Sequence, residues 1–142
     1  MRSASAGHQF AEMRRAALLS LLIALLAACN GGTVDLHALQ QDSDAIDSLA
    51  CEGALLANEV ANDASTSAFT RVHAGELATH ASNFEDALSS RPTTPGIEKA
   101  VRKEAKKAGA IAGLLDELRA HPTDSSAANT LKGQLEQQGG CS

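Results

Sequence analysis

Two histidines and a glutamate in the middle of the chain have the clearest potential for chemistry. His73, Glu76 and His80 are separated by three and four residues, so a helix would place all three on one face. Imidazole and carboxylate groups are ligands that zinc and other transition metals prefer. A metal site would need a further ligand from elsewhere in the chain, for instance His37 or Asp44.

The same residues also permit a structural interpretation without a metal. Their spacing differs from the His-Glu-x-x-His motif of zinc proteases and from the Glu-x-x-His pairs of di-iron bundles. Histidines at the edge of a core, with His80 packing on Phe84, explain the pattern with fewer assumptions. Binding of a transition metal through His73, Glu76 and His80 therefore remains the alternative interpretation.

Catalytic signatures are absent from the sequence. It contains no Gly-x-Ser-x-Gly motif and no glycine-rich phosphate loop with its lysine. Cys51 and Cys141 lack the Cys-x-x-Cys spacing of redox enzymes. We therefore predict that the protein is not an enzyme.

The start of the chain has the pattern of a secretory signal. Arg14 and Arg15 precede a run of 13 residues, Ala16 to Ala28, that contains only Ala, Leu, Ile and one Ser. The run is shorter than the roughly 20 residues that a membrane-spanning helix needs. The stretch that ends it, Leu26-Ala27-Ala28-Cys29, resembles the lipobox of bacterial lipoproteins.

This resemblance implies a lipid anchor. In bacterial lipoproteins the cysteine carries a diacylglycerol, the signal is cut just before it, and the new N-terminus is acylated. Residues 1–28 would then be a cleaved signal peptide, residues 29–33 a tether that begins at the lipidated Cys29, and residues 34–142 a single domain. An ordinary signal cut nearby, with Cys29 as a thiol or in a disulfide, is the alternative.

The resemblance also implies a location. Such a protein is held in the cell envelope by its lipid and faces the periplasm or the exterior. Asn30 stands where an aspartate would resemble the inner-membrane retention signal of enteric bacteria. The outer membrane is therefore favoured if the organism has one.

Composition excludes some partners. The 142-residue chain has 17 acidic and 12 basic residues, and its net charge is −5. It contains no Trp and no Tyr. Nucleic-acid binding needs a cationic surface and benefits from aromatic stacking, so we predict no nucleic-acid partner.

Helical periodicity dominates the rest of the chain, and no useful β-alternation appears. Short connections between helices favour antiparallel neighbours. We predict an all-α fold, a small up-and-down bundle of three to four helices. Thr94 and Pro95 resemble a cap and first residue of the third helix. The segments run approximately from Val34 to Val60, Ser67 to Leu88, Pro95 to Ala120 and Asp124 to Gln138.

Each predicted helix has an apolar face. The first has Leu39, Ile46, Leu49, Gly53, Leu56 and Val60, and the second has Phe69, Val72, Leu77, Phe84 and Leu88. The third has Ile97, Val101, Ala108, Ile111, Leu115 and Leu118, and the fourth has Ala128, Leu131 and Leu135.

With Cys29 lipidated, two cysteines remain, Cys51 and Cys141. An exported protein meets an oxidising environment, so we predict a disulfide between Cys51 and Cys141. Cys51 and Leu55 lie almost opposite the apolar face of the first segment, and a C-terminal segment tied to Cys51 would cover this second face. Two unpaired thiols or an intermolecular bridge are the alternatives.

Charged residues are divided unevenly. Residues 29–90 carry ten acids and one cation, whereas residues 91–142 carry eight cations and six acids. Five acids of the first helix form a candidate surface for a cationic protein partner: Asp42, Asp44, Asp47, Glu52 and Glu59. Five cations of the third helix form a candidate surface for anionic headgroups or polymers: Lys99, Arg102, Lys103, Lys106 and Lys107.

The leading interpretation is therefore an envelope lipoprotein that acts as a protein-interaction module. The lipoprotein resemblance implies roles as a secretion-system accessory, as an inhibitor or immunity protein, or as a structural component of the envelope. The sequence leaves the identity of the partner and the oligomeric state open.

Overall fold

The computed structural model describes residues 32–141, so the leader and Cys29 lie outside the described part. Within it the chain forms four helices and no β-strand. None of these helices has the length and apolarity needed to cross a bilayer. The prediction of an all-α bundle is confirmed. The helices are α1 (Leu36–Ala61), α2 (Ser67–Ser90), α3 (Glu98–Ala120) and α4 (Ser125–Gly139).

The helices alternate in direction around the bundle. Helix α2 packs most extensively on α3, and α1 packs most extensively on α4. Ser43 of α1 donates a hydrogen bond to Glu104 of α3, and Asp47 of α1 pairs with Lys107 of α3. Both numbers rise together, so α1 and α3 run in the same direction. They lie diagonally across the bundle, and α2 and α4 run oppositely between them.

Side-chain caps fix where three of the helices begin. The carboxylate of Asp35 accepts the N–H of Ala38 at the start of α1. Thr66 caps α2, and Asp124 caps α4 by accepting two backbone N–H groups. These residues occupy N-cap positions because their side-chain oxygens satisfy donors that a helix end leaves without partners.

Helix α3 begins later than its sequence predicts. The expected start at Pro95 is wrong, because Thr94 to Ile97 form a turn in which the Ile97 N–H donates to the Thr94 carbonyl at 3.4 Å. Gly96 has φ +98°, a left-handed conformation that glycine adopts without strain. Proline followed by such a glycine is typical of a type II turn, so the helix starts only at Glu98.

The core combines large aliphatic residues with many small ones. Every residue that the sequence predicts to face inward on α1, α3 or α4 is buried or packs against the core. An added Cβ at Gly53 would lie 2.6 Å from Leu115 Cδ2, so the helices approach each other closely there. Ten alanines are buried: Ala50, Ala54, Ala57, Ala74, Ala78, Ala81, Ala105, Ala108, Ala112 and Ala128.

The predicted apolar face of α2 is wrong in its first half. Phe69 and Val72 are 53% and 62% exposed, whereas Thr70 is fully buried. At about 100° per residue, Leu77 and Leu88 share the face of Thr70, but Phe69 and Val72 lie roughly 100° and 160° away from it. Thr70 is accommodated because its hydroxyl bonds to the Ser65 hydroxyl and the Thr66 carbonyl.

The C-terminal end of α4 is joined to the middle of α1. Cys51 and Cys141 form a disulfide with their Cα atoms 5.6 Å apart, as predicted. Helix α4 covers only part of the second face of α1, since Leu55 remains 68% exposed. The expectation that this face would be covered is therefore correct near Cys51 and wrong at Leu55.

Candidate functional site

His73 lies at the surface between α1 and α2 and has three neighbours. Its Nε2 atom is 3.1 Å from Oε1 of Glu52, and its Nδ1 atom is 3.9 Å from Oε2 of Glu76. Its ring stacks on Phe69 with the ring centroids 5.3 Å apart. The imidazole is therefore held between two carboxylates and an aromatic ring.

The predicted metal residues share one shallow groove but not one coordination point. Glu52, His73, Glu76 and His80 all line this groove together with Phe84. His80 is seven residues beyond His73, a rise of about 10.5 Å along a helix. Within residues 32–141, no three His, Cys, Asp or Glu side chains form a group that could hold a metal ion. The α1 side chain that reaches His73 is Glu52, and not His37 or Asp44.

An exposed apolar area adjoins these polar groups. Phe69 contacts His73, and Val72 lies one turn before Glu76 on the same helix. The two flanking carboxylates are also accessible, with Glu52 52% and Glu76 66% exposed. We refer to Glu52, Phe69, Val72, His73 and Glu76 as the α1–α2 patch.

The apolar centre of the α1–α2 patch was missed at the level of sequence. The sequence pattern predicts Phe69 and Val72 in the core because large apolar residues are usually buried. Their angular distance from Leu77 and Leu88 was the signal that could have found them.

Three of the five acids on α1 interact with other parts of the bundle. Asp42 pairs with Arg91 at 3.6 Å, Asp47 pairs with Lys107, and Glu52 contacts His73. These carboxylates connect α1 to α2, α3 and the connection between them.

The other two acids of this set differ from those three. The carboxylates of Asp44 and Glu59 are exposed, and neither makes an ion pair within the described part of the chain. The acidic surface predicted on α1 is therefore smaller than the sequence indicates.

The five cations predicted to form a basic surface on α3 also fall into two groups, one paired within the bundle and one exposed. Lys107 is half-buried, pairs with Asp47 and does not line the depression that the other four cations surround. Those four are exposed and surround a shallow depression that also includes Gly96 and Ala100. None of them forms an ion pair with another residue of the described segment. We refer to Lys99, Arg102, Lys103 and Lys106 as the basic face.

A small α-helical bundle closed by a disulfide, with an apolar–acidic patch and a basic face, is thus the class that the fold and surface define. No family model, no curated protein and no solved structure matches the chain. Its function is therefore argued from its own surface chemistry.

Proposed function

We propose that this protein is a non-enzymatic lipoprotein of the cell envelope whose helical domain binds another protein. The lipobox-like stretch that ends at Cys29 supports the lipid anchor. The exposure of Phe69 and Val72 in the α1–α2 patch carries the proposal of protein binding. The protein would face the periplasm or the exterior, on the outer membrane if the organism has one.

The α1–α2 patch has the composition of a binding surface. Aromatic and aliphatic side chains that are exposed in the free protein supply binding energy when a partner covers them, roughly 1.5–3 kcal/mol for each fully buried side chain. Glu52 and Glu76 border them with negative charge. A partner with an apolar pocket and a cationic rim matches this arrangement, because complementary charge speeds encounter and orients the complex.

Capture of the partner with a matched pair of variants tests the proposal. The tagged chain and the variant Phe69→Ser with Val72→Ser would be used to capture proteins from the envelope of the source organism. The control is Leu36→Ser with Leu55→Ser, which also removes two exposed large apolar side chains, 69% and 68% exposed, outside the patch. We expect the patch variant to lose a stoichiometric cationic partner that the control retains.

The role of Glu52 and Glu76 is tested separately by variants that remove their negative charge. Glu52→Gln with Glu76→Gln should slow association with the purified partner at low salt, and salt should weaken wild-type binding. Asp44→Asn with Glu59→Gln, which removes two acids outside the patch, should have a smaller effect. Binding that is unchanged in the apolar and acidic patch variants alike would contradict the proposal.

A further inference from the structure

We propose that the basic face of α3 docks the domain onto the anionic headgroups of the membrane that holds its lipid anchor. This inference rests on the anchor at Cys29 that the proposed function includes. It adds a second membrane contact and an orientation, and both follow from where the tether enters the fold.

The tether enters the domain at a fixed point beside α3. Val34, the last residue before the cap of α1, is fully buried. Its N–H donates to the carbonyl of Pro92 at 2.8 Å, and its carbonyl accepts the N–H of Thr94 at 2.9 Å. Val34 is therefore bonded to the connection that leads directly from α2 into α3.

The length of the tether limits how far a lipid on Cys29 can lie from the point where the chain enters the domain. From Cys29 to Val34 there are five residue steps, which span at most about 18 Å when fully extended. Lys99 is the second residue of α3, and Lys106 lies about 12 Å from the start of that helix. The basic face thus lies at the end of the bundle where the chain enters the domain, within reach of a membrane that holds Cys29.

The cations of the basic face are available for an external anion. Most cations elsewhere are matched within the bundle, since Arg91, Lys107, Arg119 and Lys132 each have a carboxylate partner, and Arg71 is the exception in the described chain. The basic face has no such partner among residues 32–141. Helix α1, which carries most of the acids discussed above, lies diagonally across from α3, so its outer side would face away from the anionic surface.

Docking in this orientation leaves the α1–α2 patch free for a partner. Phe69 is 21 residues before Ser90, the last residue of α2, and this corresponds to about 31 Å along the helix. Because Ser90 is next to the connection that binds Val34, the patch lies near the end of the bundle remote from the anchor. The lipid and the basic face would hold one end while the other end projects from the membrane.

The reactivity of lysine side chains in the vesicle-bound protein tests the docking. The full lipidated chain would be reconstituted in phosphatidylcholine vesicles and in mixed phosphatidylcholine–phosphatidylglycerol vesicles, and its lysines acylated with a water-soluble reagent. Mass spectrometry gives the rate at each lysine, with Lys132 of α4 as the internal control. We expect Lys99, Lys103 and Lys106 to react several-fold more slowly only in the anionic vesicles. Roughly 0.5 M salt should remove this protection, because it shortens the Debye length to a few ångströms.

A pair of variants makes the test specific for the basic face. Each cation near an anionic surface strengthens association roughly fivefold, so Lys99→Gln with Lys103→Gln should weaken docking about 25-fold and expose Lys106 to the reagent. Arg71→Gln with Arg119→Gln removes the same charge at the end of α2 and α3 remote from the anchor. This control should leave Lys106 protected.

The outcomes separate the docking from the anchor. Acyl chains on Cys29 together with equal lysine rates in both vesicles would overturn the docking and leave the anchor in place. Protection of Lys106 that persists in the Lys99 and Lys103 variant would also overturn the docking. Absence of acyl chains on Cys29 would overturn the anchor and the docking together.

Discussion

Some charged side chains of this protein pair with each other inside the bundle, and others are exposed without an ion-pair partner in the described chain. Asp47 and Lys107 connect α1 to α3 at a half-buried position, whereas Lys99 and its neighbours on the basic face have no partner in the described chain. An ion pair at a half-buried position is screened less by solvent than an exposed pair, and so it stabilises the fold more. Each charged residue must therefore be judged by its surroundings, since its type alone does not separate structural from functional roles.

We expect Asp47→Asn to lower the free energy of unfolding by about 1 kcal/mol. The substitution keeps the shape of the side chain but leaves the Lys107 ammonium without its carboxylate partner. Asp44→Asn is the matched control on the same helix, and it should change stability little because the Asp44 carboxylate is exposed and has no ion pair in the described part. Urea unfolding followed by circular dichroism measures both, and an equal loss in the two variants would contradict this role for Asp47.

At the scale of the helices, small residues determine how closely the elements pack. Gly53 of α1 lies against Leu115 of α3 and Leu135 of α4, at a point where a single added carbon would overlap a fully buried leucine. By contrast, a Cβ added at Gly113 or Gly133 would have no atom within 4 Å. Glycine is therefore required by packing at the first position and only lowers helix propensity at the other two.

Alanine substitutions at these glycines should have opposite effects. Gly113→Ala and Gly133→Ala should each raise the free energy of unfolding by about 0.5–1 kcal/mol, because alanine loses less conformational entropy in a helix. Gly53→Ala should lower it by about 1–3 kcal/mol, because the fully buried side chain of Leu115 must shift against its packed neighbours. Thermal and urea unfolding of the three variants would reveal the difference in sign. A stabilising Gly53→Ala would show that α1 and α3 are not in close contact there.

At the scale of the whole domain, the disulfide closes a long loop of the chain. The Cys51–Cys141 bond spans 90 residues, which include the part of α1 from Cys51 to Ala61 and all of α2, α3 and α4. Long loops of this kind restrict the unfolded chain strongly in the chain-entropy model. In a small domain whose core includes many alanines, such a restriction contributes a substantial part of the stability.

Removal of the disulfide should therefore destabilise the whole domain. We expect Cys51→Ser with Cys141→Ser to lower the free energy of unfolding by about 4 kcal/mol. Wild-type protein unfolded in the presence of a thiol reductant should resemble this variant, and the variant itself should not respond to the reductant. Equal urea midpoints for the oxidised wild type and the variant would contradict a structural role for the bond.

The sequence by itself determined the helices, most of their inward faces and the pairing of the cysteines. These features depend on local rules: apolar residues recur at helical spacing, caps such as Asp124 precede helices, and a two-cysteine domain allows one internal disulfide. Where local signals conflicted, at Pro95 and Gly96, the sequence placed the start of α3 three residues too early.

Only the tertiary structure decided which surface residues are free to bind. Whether Asp42, Asp47 and Lys107 face solvent depends on which helix lies opposite them, and that information is not local. The exposure of Phe69 and Val72 likewise depends on which face of α2 the other helices cover. Helix α2 faces the core with Ala74, Ala78 and the leucines beside them, and this leaves Phe69 and Val72 on the outside.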